Sequence, residues 1–203
     1  EGKSASELSR KDEIFESKTG LISIAGGKLT GYRKMAERTV DLVMKKLKKG
    51  AIKTRTQHLV LTGGEFGDVS SVAMFMDSLS QKLGSMGVGS SDAQAKYLVE
   101  NYGRQALQVL ALAVESGIDD PEEMLVIGEE NFTLRNEMVN SAMDFFSRRS
   151  GRLYFKIGSV REHGELVINY LADMLGWTGE RIIQEKEELQ QAVFEASDFP
   201  VSV

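Results

Sequence analysis

Tyr32, Met35, Ala36, Val40, Val43, Met44 and Leu47 recur at steps of three and four, which places them on one face of a helix. Thr30 is positioned to cap this helix, and Lys45, Lys46, Lys48 and Lys49 load its last turn, where cations complement the helix dipole. Gly50 ends it. Upstream the period changes. Ile14-Phe15 and Leu21-Ile22-Ser23-Ile24 are short β-like runs around a Lys18-Thr19-Gly20 turn, which predicts a hairpin. Two strands alone are marginal in water, so this hairpin calls for a larger sheet or for the same edge of a second copy, that is, a homo-oligomer. Residues 1–13 carry no hydrophobic period and read as a tail.

Residues 51–68 look irregular, and from about Ser70 helical patterns dominate. They cover roughly 71–83, 91–101, 104–115, 133–148, 159–175 and 178–196. Ser91-Asp92-Ala93-Gln94 and Ser159-Val160-Arg161-Glu162 have the form of capping boxes, Gly176 stops one helix and Thr178 can start the next. Residues 104–115 are apolar nearly all round and are expected at the centre of the core. The fold class is therefore mainly α, a helical domain (51–203) preceded by a segment (1–50) holding the hairpin, a glycine turn and one helix.

Composition sharpens this. Two prolines in 203 residues favour helix. The absence of cysteine excludes disulfides and thiolate chemistry, and His58 and His163 are too far apart for a paired histidine motif, so no metal site is expected. No apolar run approaches the roughly 18 residues that span a bilayer. A cytoplasmic location is expected, with attachment to the inner face of the membrane as its variant. The net charge of −5 argues against nucleic acid as a partner. That charge is uneven: residues 1–55 hold 14 Lys and Arg against 7 Asp and Glu, the remainder 11 against 23, and such a break often marks a change of module.

The stretch with the most chemical content is Gly26-Gly27-Lys28-Leu29-Thr30, between a strand and a helix. Glycines let a backbone approach a ligand, free N–H groups at a helix start favour anions or carbonyl oxygens, and Lys28 adds positive charge. The Walker spacing is absent, so spacing alone leaves a ligand corner and a plain structural junction both open.

From Thr19 to Glu37 the chain closely resembles the last flavin-domain strand and following helix of the FAD-dependent glycerol-3-phosphate dehydrogenases and alpha-glycerophosphate oxidases, every fixed position of their GGKxTxYRxMAE pattern being present. Asp144-Phe145-Phe146-Ser147-Arg148-Arg149-Ser150 is similar to the D-F-x-x-R-R-[ST] segment of their C-terminal helical domain, and Trp177 falls where that domain usually has one. The resemblance runs from about Leu8 to the end. It implies that residues 1–50 are the remnant of a FAD-binding domain, and that Gly26, Gly27, Lys28, Leu29 and Thr30 lie at the flavin. It also implies that Lys28 meets the substrate, glycerol 3-phosphate, which is oxidised to dihydroxyacetone phosphate by hydride transfer from C2 to flavin N5. The electron acceptor, quinone or oxygen, stays open. The family's GxGxxG element for the FAD pyrophosphate does not occur in this sequence, so the chain by itself is expected neither to hold FAD nor to act on substrate; its partner would be the rest of the same polypeptide.

Other residues have simpler readings. Arg148 and Arg149 are expected in ion pairs with acidic neighbours such as Asp144, and no residue is singled out as catalytic. Glu162 and His163 are expected to serve local capping, His58 to sit in a polar linker, and Met74, Met76 and Met86 to fill core. The competing function is a free-standing helical interaction module. The unpaired hairpin weighs against it.

Overall fold

The computed structural model describes residues 12–50 and 53–197, and the chain divides into two compact units, Glu1–Val60 and Leu61–Val203.

In the first unit, β1 (Glu13–Glu16) and β2 (Ile22–Ala25) form the expected antiparallel hairpin, with Glu16 opposite Ile22 and Glu13 opposite Ala25. The turn closes where the Gly20 N–H donates to the Ser17 carbonyl at 3.0 Å and the Ser17 N–H to the Leu21 carbonyl at 2.9 Å. A 3-10 turn, Leu29–Gly31, leads into α1 (Tyr32–Lys46). Thr30 does not cap it: Gly31 holds the N-cap position without a side-chain bond. The helix also stops before Lys49. Lys48 takes a left-handed conformation, φ +54°, and the Lys49 N–H reaches back to the Met44 carbonyl at 3.1 Å, so a lysine closes the helix where Gly50 was expected to. Lys46 pairs with Glu16 of β1 at 2.6 Å. Not one described residue of this unit is buried.

The second unit is helical: α2 (Val69–Ser85), α3 (Ser91–Tyr102), α4 (Ala106–Glu115), α5 (Pro121–Asn136), α6 (Arg152–Phe155), α7 (Ile157–Leu175) and α8 (Gly179–Ser197), with a π-helical turn at Asp144–Arg149. Two cores share one helix. Leu79, Leu83, Leu98, Leu110 and Phe132 belong to the first, Ile127, Phe145, Phe146, Val167 and Leu171 to the second, and α5 contributes to both. Every residue from Met124 to Thr133 is consequently buried.

This corrects the expectation for 104–115. α4 buries Val109, Leu110, Leu112 and Ala113, but Leu107 and Val114 are 46% and 57% exposed on its other side. The central helix is α5, which follows α4 closely enough that a Cβ on Gly128 would lie 2.5 Å from the Ala113 Cβ. A helix over 133–148 does not form either: α5 ends at Asn136, and Met138 interrupts the chain at φ +61°. The start of α5 was nonetheless written in the sequence, because Asp120 accepts from the N–H groups of Glu122 and Glu123, both at 2.9 Å, ahead of Pro121 at the first helical position.

Neither capping box forms. Ser90, not Ser91, precedes α3, with no side-chain cap, and Ser159 lies inside α7, where its hydroxyl accepts from Arg152 at 2.6 Å. Gly176 ends α7 at φ +67°, and Thr178 Oγ1 accepts from the Arg181 N–H at 3.3 Å, both as expected.

Candidate functional site

Gly26 and Gly27 turn the chain out of β2 with φ +78° and +88°, a region that side chains rarely adopt. A Cβ on Gly27 would meet the Met35 Sδ at 2.8 Å and the Asp12 Cβ at 3.2 Å, so the turn is folded down onto α1 with no room for a side chain. Lys28 is extended (φ −112°, ψ +147°), and its carbonyl accepts from the Gly31 N–H at 2.8 Å. The N–H groups of Gly26, Gly27, Lys28, Leu29 and Thr30 have no acceptor among the described residues, nor does the Lys28 ammonium have an anionic partner there. Leu29 is 92% exposed. Five of the predicted site residues thus stand together as one outward corner of free amides, a cation and an apolar side chain. That corner suits a ligand with acceptor oxygens and an apolar part. A hollow of about 900 Å³ beside α1, lined by Lys34, Asp41, Lys45, Lys48 and Lys53, does not include these residues.

The other sequence candidates resolve as structure. Arg148 pairs with Asp144 at 2.9 Å and Arg149 with Glu137 at 3.9 Å. Asp144 also accepts from the Asn140 N–H at 3.1 Å. His58 meets only its neighbour Gln57, at 2.9 Å. His163 is not at a helix start but buried within α7.

Sequence reasoning missed a buried polar network in the second unit. Arg152 pairs with Glu129 of α5, and the Tyr102 hydroxyl donates to the same carboxylate at 3.0 Å. Lys156 rests 3.4 Å from the centre of the Tyr97 ring. Burial works against the charge of Arg152, but Glu129, together with Tyr97 and Tyr102, lifts the guanidinium above its ordinary value. Burial and, after it, the Glu129 charge push the Tyr97 and Tyr102 phenols well above theirs. Glu130 is fully buried with neither carboxyl oxygen partnered, and burial first, then Glu129 and Asp144, raise it well above the usual carboxylate range. These groups come from three separate helices and the turn before α7, so no spacing in the sequence links them.

The architecture is that of a mainly helical domain carried after a hairpin and glycine turn. The family described as the C-terminal domain of alpha-glycerophosphate oxidase matches residues 54–182. The chain belongs to that family. It is 41% identical, over 202 residues and 97% of its own length, to the aerobic glycerol-3-phosphate dehydrogenase of Staphylococcus aureus (strain USA300). Identity to the aerobic glycerol-3-phosphate dehydrogenase of Staphylococcus saprophyticus is 39% over 201 residues. In each case the chain spans only 36% of the relative. An X-ray structure of the glycerol-3-phosphate dehydrogenase from Bacillus halodurans complexed with FAD superimposes with a TM-score of 0.80 at 36% identity, covering 94% of this chain and 38% of that one. Among the described residues no helix is long and apolar enough to cross a membrane.

Proposed function

We propose that this chain is the C-terminal part of a flavoenzyme that oxidises sn-glycerol 3-phosphate to dihydroxyacetone phosphate, with residues 1–50 completing the FAD-binding domain and 51–203 forming the helical domain behind it. The reading is carried by the turn at Gly26–Thr30, whose amides and lysine have no partner among the described residues, in a unit none of whose described residues is buried. The relatives are glycerol-3-phosphate dehydrogenases, one of them complexed with FAD, and this supports the substrate and the cofactor. FAD, when bound, accepts the two electrons that leave the secondary alcohol. The N–H groups of Gly26 to Thr30 would hold the polar edge of its ring, and Lys28 would hold the substrate phosphate. The open edges of the hairpin are assigned to the sheet of the upstream flavin domain, homo-oligomer formation being the competing use.

Lys28→Ala in the complete enzyme tests this. Loss of a charge-assisted hydrogen bond of roughly 1.5–3 kcal/mol should raise KM for glycerol 3-phosphate about 10- to 150-fold, with kcat little changed, because the phosphate is remote from the bond that breaks. A fall in kcat and in flavin potential at constant KM would move Lys28 from the substrate to the reduced flavin. No change in either would reduce the turn to a junction.

A further inference from the structure

His163 is only 6% exposed, yet its imidazole has no hydrogen-bond or ionic partner among the described residues. Its ring nitrogens are not among the enclosed polar atoms that lack a partner, so the imidazole keeps an opening, and what surrounds that opening is informative. It lines a hollow of about 140 Å³ together with Gln94, Glu122, Lys156, Ser159 and Glu162. One ligand atom from each of Glu122, Glu162 and His163 lies within 4.8 Å of the other two. Glu122 stands in the first turn of α5, and Glu162 and His163 are on α7. Neither carboxylate has a cationic partner among the described residues, although two cations line the same hollow. Those cations are engaged elsewhere: Arg152 with Glu129 and Ser159, Lys156 over the Tyr97 ring.

We propose that Glu122, Glu162 and His163 hold a first-row divalent cation, zinc or manganese, which ties the start of α5 to α7. A neutral imidazole nitrogen with two carboxylates is a donor set for these ions, not for calcium or magnesium, which prefer oxygen alone. Two carboxylates balance the charge of a dication, and water completes the shell. Ligand bonds of about 2.0–2.2 Å require the three atoms to draw closer than they stand, and the two exposed glutamates supply that movement by rotating. The clip joins the helix shared by both cores to α7 of the second core, so it acts on the stability of the helical unit. The expectation of no metal rested on the distance between the two histidines. The ligands that matter are carboxylates, one of them on another helix.

The test is calorimetric titration of the EDTA-stripped chain with zinc sulfate, alongside thermal melting with and without excess zinc. One site per chain and a higher melting temperature with zinc are expected, since a ligand bound only by the folded state stabilises it. Glu122→Gln and Glu162→Gln, both at exposed positions, should each weaken binding by at least about tenfold, and His58→Gln should leave it unchanged. His163→Gln should abolish the site, but the exposed carboxylates carry the test because the imidazole is buried. Absence of binding to the unaltered chain, or affinity that survives both glutamate substitutions, would overturn the proposal, as would affinity lost with His58.

Discussion

α1 and α7 are both amphipathic helices of similar pattern, and they fare differently. α7 buries Val160, Val167, Ile168 and Leu171 against α5 and α8. α1 leaves Tyr32, Val40 and Leu47 at 62%, 57% and 59% exposure, and no described residue of its unit is buried. A stripe of apolar residues specifies that a helix wants a partner but not that the partner is in the same unit. The second unit closes on itself and even encloses charged groups. The first presents a hairpin, a glycine turn and a helix face on which Tyr32, Val40 and Leu47 stay open. The flavin domain proposed above is what would cover them.

Removing one charge from the closed unit should have the largest effect. Arg152→Met leaves Glu129 buried without its ion pair, and breaking such a pair costs about 3–5 kcal/mol. For a domain of this size that lowers the melting temperature by roughly 6–20 °C. Adding Glu129→Gln should recover much of the loss, because the penalty lies in the orphaned charge. An Arg152→Met chain that unfolds in urea at the original midpoint would show that the network does not hold the two cores together.

Glu130 gives a pH-dependent version of the same contrast. Its folded-state pKa is raised, burial being the first cause, while in the unfolded chain it ionises near the ordinary glutamate value of 4.5. Its contribution is therefore full below about 4.5 and is lost as pH rises towards the folded value. Within that window stability should fall by up to roughly 1.4 kcal/mol per pH unit. Glu130→Gln, which cannot ionise, should match the parent chain near pH 4 and exceed it increasingly towards pH 8. Parallel urea titrations across that range would read the difference. A constant difference with pH would mean that Glu130 does not hold its proton in the folded state.

How much of this could be read in advance depended on whether the signal was local. The hairpin, the Gly176 stop and the Thr178 cap follow from neighbours in sequence, and they appear as expected. The five turn residues stand together because they are consecutive. The centre of the core was misplaced because α5 carries Glu129, Glu130, Asn131 and Thr133 among its buried residues and so lacks a clean apolar stripe. α4, with one, turned out to have an outer face. The Asp120-Pro121 start of α5 is a local signal that the sequence reading did not use. Nothing local announced the Glu129–Arg152 pair or the meeting of Glu122 with His163, which exist only once α5 packs with α6 and α7.

The smallest effect belongs to the open unit and bears most directly on what it lacks. Val40 is 57% exposed on α1, so Val40→Ala removes little buried surface from this chain, and alanine is the better helix former. The expected change in stability is within about 0.5 kcal/mol, the range of surface substitutions. Leu171→Ala, at a position wholly buried in α7, should cost about 2–5 kcal/mol under the same conditions. In the complete flavoenzyme the two should converge in kind: once the flavin domain covers the apolar face of α1, Val40→Ala opens a cavity and costs about 1 kcal/mol or more. Denaturation of both variants, as this chain and as the complete enzyme, separates the cases. A Val40→Ala chain already destabilised by more than 1 kcal/mol would mean that α1 is packed without help, and the contrast between the two units would fail.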